Sequence, residues 1–447
     1  MKHSKKSKII IFLILLVILG TSFTHVSSSK KLPSMEEQGG RTINGQILFP
    51  PLYGTATYLI DNTGTTNHTW YSSYTPGAAV CWLGNGTILR TIRVGFSSEG
   101  GAGGGVQKVT WDGTITWDFR YNTNGDLSHH DIKVLPNGNV IMIAWETKTR
   151  AQGIAAGRNP NTITGNTFMP DHVIEVKPTG PTSGDIVWEW HAWDHLIQDY
   201  DSSKANYGVV GDHPELIDIN YGAFFMSTND WLHTNSIDYN PQFDQILLSV
   251  HNFDEIWVID HSTTTQEAAG HSGGRYGKGG DLLYRWGNPQ AYRAGDSSDQ
   301  RLFWQHDAQW IKSGCPGAGH ILVFNNGVGR PGGQYSSVDE FIPPMDPQGN
   351  YTYTPGTAYG PEQDSWVYTA KNPFALFSMI LSGAQRLPNG NTLICNCVTG
   401  IFYEVTPEKE IVWQYANNFH CVNLLHLDKK DVPNAKKYAL DYPGVKL

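Results

Sequence analysis

Charge is scarce in this chain of 447 residues. Only 16% are Asp, Glu, Lys or Arg, against roughly 25% in an ordinary soluble domain. The little there is leans negative, for a formal net charge of −9, which makes nucleic acid a poor partner. Cysteine is also rare. Cys81, Cys315, Cys395, Cys397 and Cys421 allow at most two disulfides and leave one thiol over. Cys395 and Cys397 face one side of a strand as core residues and have neither the spacing nor the partners of a zinc knuckle; no metal and no cofactor is expected. The apolar run Ile9 to Leu19 is shorter than a membrane span. With Lys2, Lys5, Lys6 and Lys8 before it and Val26-Ser27-Ser28-Ser29 after it, residues 1–29 are expected to be a signal peptide, or alternatively an N-terminal membrane anchor. Export would make the protein secreted or cell-surface. Asn67, Asn85 and Asn350 then open glycosylation sequons. No P-loop, nucleotide fingerprint, Gly-x-Ser-x-Gly elbow or His-Glu-x-x-His occurs in the sequence, so the commonest nucleotide-dependent, serine-hydrolase and metalloprotease chemistries have no handle here.

Turns and aromatics are what the chain has in quantity. Leu381 to Tyr415 reads as a complete β-propeller blade. Asn389-Gly390 makes a hairpin turn, Thr392 to Cys395 and Ile401 to Val405 are strands, and Ile411 to Tyr415 is an outer strand. The inner turn recurs at Asn85-Gly86 and Asn137-Gly138, and more loosely near Asp244 and Gly319. The first two turns are about 50 residues apart, close to a propeller repeat. The outer strand recurs as an aromatic, a spacer and a second aromatic: Trp117/Phe119, Trp188/Trp190, Tyr284/Trp286, Trp366/Tyr368 and Trp413/Tyr415, with a degraded copy at Trp70. These aromatics pack between blades. Six outer strands and five inner turns predict an all-β, six-bladed propeller, one domain over residues 45–447 after a polar leader at 30–44. The C-terminal segment, from about Asn423 to Leu425 onward, would supply the missing inner half of the first blade. The stretches 148–170, 191–221, 262–280 and 342–364, rich in Gly, Pro, Ser and Asn, are expected to be loops on the faces of the ring.

Polar clusters precede four successive inner strands: Ser128-His129-His130-Asp131, Asp230 to Ser236 around His233 and Asn235, Trp304-Gln305-His306-Asp307, and Phe377 to Ser382. Inner strands line the axis of a propeller, so His130, His233 and His306 should converge there. Asn325 opens a glycine-rich loop that ends in Arg330. Arginine offers planar, always-charged donors for a sulfate, phosphate or carboxylate, and imidazole can act as nucleophile, acid or base near neutrality. An anion-handling channel follows from these residues alone. The alternatives are that His129-His130-Asp131 caps a strand, that Arg330 is a solvated loop charge, and that His251, within a strand, is structural or lines the channel.

The motif Trp231-Leu232-His233-Thr234-Asn235-Ser236-Ile237-Asp238-Tyr239, followed in order by Gln305-His306-Asp307-Ala308 and Asn325 to Arg330, resembles the arylsulfotransferase family (ASST), which moves sulfate from an aryl sulfate ester to a phenolic acceptor without a nucleotide donor. Ser382 to Leu393 is similar to a shorter branch of that family, lacking its N-terminal β-domain. The resemblance implies a six-bladed propeller, a sulfated-histidine intermediate, and site roles for His233, His306 and Arg330, with His130 beside them. Asn235, Gln305, Asp307, His129 and Asn325 would contact substrate. The family's sulfate-accepting histidine lies in a later blade, and residues 391–403 contain no histidine here. His306 or His130 would then take the sulfate. Otherwise the scaffold would be a non-catalytic surface propeller binding an anion or a partner protein, with its histidines diverging into backbone caps. A quinone-dependent dehydrogenase propeller would need more blades and a metal-binding carboxylate set.

Overall fold

The computed structural model describes residues 41–442 apart from 96, 98, 124, 164, 223–228, 420, 423–427 and 441. The expected signal segment and the expected start of the closing segment at 423–425 lie outside the described residues. Six four-stranded antiparallel sheets form the six blades of a β-propeller. Blade 1 is Gly45–Phe49, Ala56–Asp61 and Thr66–Tyr71, and blade 2 runs from Pro76–Gly84 to Ile115–Arg120. Blade 3 is Leu127–Val134, Val140–Trp145, Asp171–Pro178 and Gly184–His191; blade 4 is Thr234–Asn240, Gln245–Val250, Glu255–Asp260 and Tyr284–Trp286. Blade 5 begins at His306–Trp310 and ends at Trp366–Tyr368, and blade 6 begins at Gly383–Arg386 and ends at Ile411–Ala416. The ring closes as the repeat count requires, although only the innermost strand of blade 1 comes from the far end of the chain. Lys436–Ala439 pairs antiparallel with Gly45–Phe49, Gln46 opposite Tyr438.

The local rules that build each blade are visible in its turns. At both Leu135-Pro136-Asn137-Gly138-Asn139 and Leu387-Pro388-Asn389-Gly390-Asn391 the leucine N–H donates to the second asparagine carbonyl at 2.8 Å, and the glycine N–H returns to the leucine carbonyl at 2.9 Å. Glycine supplies the left-handed residue there, φ 86° and 88°. Two of the expected irregular loops contain a short helix, Arg150–Ala155 and Thr265–Ala268. Each is nucleated by a capping box, Thr149 with Gln152 and Thr264 with Glu267.

Around the outside, the repeated tryptophan does one job six times. Its indole N–H donates to an oxygen of the next blade or of that blade's loops: Trp70 to the Thr110 carbonyl (3.1 Å), Trp117 to Ser183 (3.0 Å), Trp190 to Gly280 (2.7 Å), Trp286 to Pro361 (2.9 Å), Trp366 to Pro407 (2.8 Å) and Trp413 to Asn62 (2.7 Å). The rings fill the space between sheets while the N–H avoids being buried unpaired. Cys395 and Cys397 are buried, as their position suggested, and Cys81, Cys315, Cys395 and Cys397 are all free thiols.

Blades 3 and 4 are also pinned by His261, whose Nε2 meets Glu175 at 2.9 Å and Nδ1 meets Asp244 at 2.7 Å. Burial opposes the charge on this ring, but the two carboxylates outweigh it and raise its pKa from 6.5 to about 9. A pKa raised on folding stabilises fully below the unfolded value and is lost as pH rises through the folded one. His261 is therefore expected to contribute about 3 kcal/mol below pH 6.5 and progressively less toward pH 9. Urea unfolding of the wild type and His261→Gln should differ most at pH 6 and converge above pH 9, within about 1 kcal/mol; a gap that does not change with pH would exclude the ion-pair explanation.

Candidate active site

The inner strands of blades 3 to 6 enter the ring through a kink that aims side chains at the axis. His130 (φ 49°), His233 (φ 52°), Trp304 (φ 58°), Asp307 (φ 55°), Leu381 (φ 49°) and Ser382 (φ 78°) are all left-handed, and the ladders slip beside them, between Ser128 and Ile132, Thr234 and Ser236, and His306 and Gln309. Non-glycine residues pay of order 1–3 kcal/mol for such backbone. The strain is concentrated where four histidines meet. Ring centroids are 4.6 Å apart for His130 and His233, 5.0 Å for His233 and His251, and 5.4 Å for His251 and His306. Gly101 closes over this arc: a Cβ there would lie 1.9 Å from the His130 ring, at φ 73°, so only glycine fits.

The partners of each ring set its proton. His306 Nδ1 lies 3.0 Å from the Trp304 carbonyl and 2.9 Å from Asn326 Oδ1. The amide is oriented by its Nδ2, which donates to the Ser378 and Leu381 carbonyls. Both neighbours of Nδ1 can only accept, so Nδ1 carries the proton and Nε2 keeps a lone pair. Burial lowers the His306 pKa to about 4, which leaves the ring neutral. His251 follows the same rule, donating from Nδ1 to Asn252 Oδ1 at 2.8 Å; burial, then His233 and His306, hold it well below its ordinary value. Burial and the neighbouring histidines likewise push His130 down. His233 is the exception. Burial opposes its charge, but Asp230, 2.5 Å from Nδ1, outweighs it and raises the pKa. Asp230 is itself fixed by the Trp145 indole N–H at 2.9 Å. The result is one imidazole biased toward its charged form among three held toward neutrality, a pattern that attracts an anion and presents a nucleophile to it.

The expected residues divide by what they touch. His129 stacks on Trp145 (4.1 Å between centroids) and shares a proton with His130, Nδ1 to Nδ1, at 2.9 Å; it backs the site rather than merely capping a strand. Asn235, His130, His306 and Asp307 line a cavity of about 30 Å³ on the axis. Asn235 Oδ1 has no partner there, although its Nδ2 donates to the Gln305 carbonyl at 2.7 Å. Gln305 turns its own amide into blade 4, onto the Glu255 and Val250 carbonyls. Asn325 ties Phe303 N–H to Asp339. Arg330 donates to Ser337 Oγ at 2.9 Å and packs over the rings of Tyr335 (4.3 Å) and Phe303 (5.5 Å), one residue from the Trp304 carbonyl that holds His306.

Asp230 is the member of the site to which the sequence reading gave no role, and His251, expected to be structural or to line the channel, joins the arc. His251 is not inside a strand: it begins the turn His251–Phe253 that follows Gln245–Val250, and it completes the arc from within the blade that carries His233. The later blade offers serines instead, Ser382 Oγ donating to Ser378 Oγ at 2.9 Å. Asp230 stood in the quoted motif, three residues before His233, without an assigned role. A second cavity of about 210 Å³ adjoins the first through Ala79, Asp131, Asp307 and Asn434, and is lined by Trp82, Tyr438, Lys133, Lys312 and Lys436.

The family profile described as Arylsulfotransferase (ASST) matches residues 53–431. That is most of the chain, and the protein belongs to the arylsulfotransferase family; a sulfotransferase-like enzyme acting on aryl sulfates and phenols is what the membership supports. No curated protein sequence matches it. Solved structures give distant likenesses: a protein of unknown function from Bacteroides caccae (11% identity, 89% of this chain and 99% of that one, TM-score 0.46), a protein from Lactobacillus plantarum (8%, 89% and 100%, TM-score 0.44) and virginiamycin B lyase from Staphylococcus aureus (9%, 85% and 86%, TM-score 0.38). At these scores they carry no argument about the site.

The proton inventory is directly testable. In the wild type one channel imidazole, His233, should titrate above 6.5 by NMR, while His306 stays neutral down to about pH 4. Asp230→Asn keeps the shape, removes the charge and, with its oxygen still facing the Trp145 N–H, presents a donor instead of an acceptor to His233 Nδ1, so burial should then bring His233 below 6.5. A His233 titration unmoved by that substitution would refute the assignment.

Proposed function

We propose that the protein is an exported arylsulfate sulfotransferase of the family's shorter branch and that His306 Nε2 accepts the sulfuryl group. The observation that carries this reading is the double acceptor on His306 Nδ1, which fixes the tautomer and leaves the lone pair on Nε2 of a ring that lines the axial cavity. In the first step the Nε2 lone pair forms a bond to sulfur and the bond from sulfur to the aryl oxygen breaks. The leaving phenolate takes a proton from His233. In the second step the oxygen of an acceptor phenol attacks sulfur, the N–S pair returns to Nε2, and the phenolic proton goes back to His233. Nothing is oxidised or reduced, and no nucleotide is needed. Catalysis then consists of positioning and of neutralising charge on the sulfuryl oxygens. The Asp230–His233 pair supplies the positive charge, with His130 and His251 on either side of His233 in the arc, and Arg330 lies on the neighbouring loop, held by Ser337, Tyr335 and Phe303. Aromatic rings have room and apolar contact in the adjoining cavity of about 210 Å³. The convergence of the histidines favours chemistry over the surface-scaffold reading, in which they would diverge.

Purified protein is expected to release phenol from p-nitrophenyl sulfate only when an acceptor phenol is present. His306→Ala should lower that rate by about a thousand-fold or more, and the wild type, quenched with donor alone, should carry a sulfuryl group on the peptide containing His306. Substantial turnover by His306→Ala, or the label on a peptide containing His251 or His130, would take the nucleophile's role from His306. Release without an acceptor would mean hydrolysis instead of transfer.

A further inference from the structure

A second cluster of titratable side chains stands apart from the sulfuryl chemistry, on the loops outside blades 3 and 4. His195 follows the outer strand of blade 3, while His271 and Asp281 flank the glycine-rich insertion between Glu255–Asp260 and Tyr284–Trp286 of blade 4. One donor atom from each lies within 4.8 Å of the other two. Both imidazoles turn Nδ1 toward the same carboxylate oxygen, Asp281 Oδ1, at 2.8 Å from His195 and 2.7 Å from His271.

The surroundings of His195 say what this convergence is for. Its side chain is fully buried and lies parallel to Trp190, 5.7 Å between centroids. Its Nε2 is 2.8 Å from the Ala268 carbonyl, which can only accept. Nε2 therefore carries a proton, and Nδ1 is aimed at a carboxylate oxygen. His271 Nδ1 converges on that same oxygen, so one cation among the three groups would serve all of them at once. A buried histidine that donates one N–H to a backbone carbonyl and aims its other nitrogen at a shared point is the arrangement of a metal ligand, in which the carbonyl fixes tautomer and ring orientation. The backbone has been thinned to allow it: a Cβ on Gly280 would lie 2.0 Å from the Ala268 carbonyl oxygen and 2.6 Å from His195 Nε2.

We propose that His195 Nδ1, His271 Nδ1 and Asp281 form a binding site for a zinc-class divalent cation. Two imidazoles and one carboxylate suit zinc better than calcium or magnesium, which prefer oxygen shells. Tetrahedral zinc places its donors about 3.3 Å apart at the usual bond lengths, a spacing these three reach with small side-chain rotations. The fourth position opens to solvent beside His271, whose side chain is 61% exposed. Bound there, the ion clips the insertion after blade 3 to the insertion within blade 4, outside the ring and without contact with the channel histidines.

The test uses the full chain without a purification tag, stripped with chelator and titrated with zinc, with cobalt(II) as a spectroscopic substitute. One zinc per chain, a tetrahedral cobalt spectrum, and a melting temperature raised by zinc are expected. His271→Ala removes an exposed ligand and should leave the fold intact while weakening zinc binding at least tenfold. Asp281→Asn should do the same with almost no change of shape. Failure of the wild type to bind zinc would overturn the proposal and leave His195 and His271 simply hydrogen-bonded to Asp281. Equal affinity in wild type and both variants would overturn it as well, by placing the ion elsewhere.

Discussion

Neighbouring sheets in a propeller cannot hydrogen-bond strand to strand, because they diverge from the axis like spokes, and everything in this molecule depends on how that gap is bridged. At the axis the bridge is a buried aspartate. Asp131 accepts the Ile237 N–H at 3.0 Å, Asp238 the Trp310 N–H at 2.9 Å, and Asp307 the Ala384 N–H at 3.0 Å, each from one blade to the next. Lys436, on the closing strand, completes the series by meeting both oxygens of Asp307 at 3.0 Å. At the rim the bridge is the tryptophan N–H. Between blades 3 and 6 a carboxylate acceptor on the inside and an aromatic donor on the outside hold the sheets at both edges, so the angle between those blades has little freedom left.

That constraint explains why the chemistry sits where it does. Asp131 and Asp307 directly follow His130 and His306, so the same short segments that lock blade to blade also hold two of the four histidines. The left-handed residues at these points are affordable only because the carboxylates over-determine the backbone around them. Burial raises the pKa of Asp131 to about 7 and also raises that of Asp307. The axis therefore carries less negative charge than its aspartates suggest, which suits a channel that has to admit an anion. His233 keeps its charge in this setting because Asp230 is one of the few carboxylates placed beside the arc instead of between blades.

Much of this was legible in the residues. The Asn-Gly turns and paired aromatics gave the blade count, because both are local: glycine tolerates the turn's φ, and the aromatic alternation marks a strand with one buried face. The convergence of His130, His233 and His306 also followed, since equivalent positions on inner strands must meet at an axis. The role of His251 did not. It lies at the end of a second strand, and whether such a residue faces the channel depends on how sharply the chain turns there, which the Asp254 left-handed residue (φ 55°) decides. Nor could spacing join His195 to His271 and Asp281, which sit on two insertions brought together by packing against Trp190.

The sequence by itself determined the repeat, its closure into six blades and the identity of three of the four imidazoles that reach the axis, because periodic strands and turns are written within a few residues of one another. Only the tertiary structure decided which imidazole is charged and which nitrogen is free. Those properties come from how each partner is itself held, as Asn326 beside His306 is by the distant Ser378 and Leu381 carbonyls, and from a burial that exists only once the ring has closed.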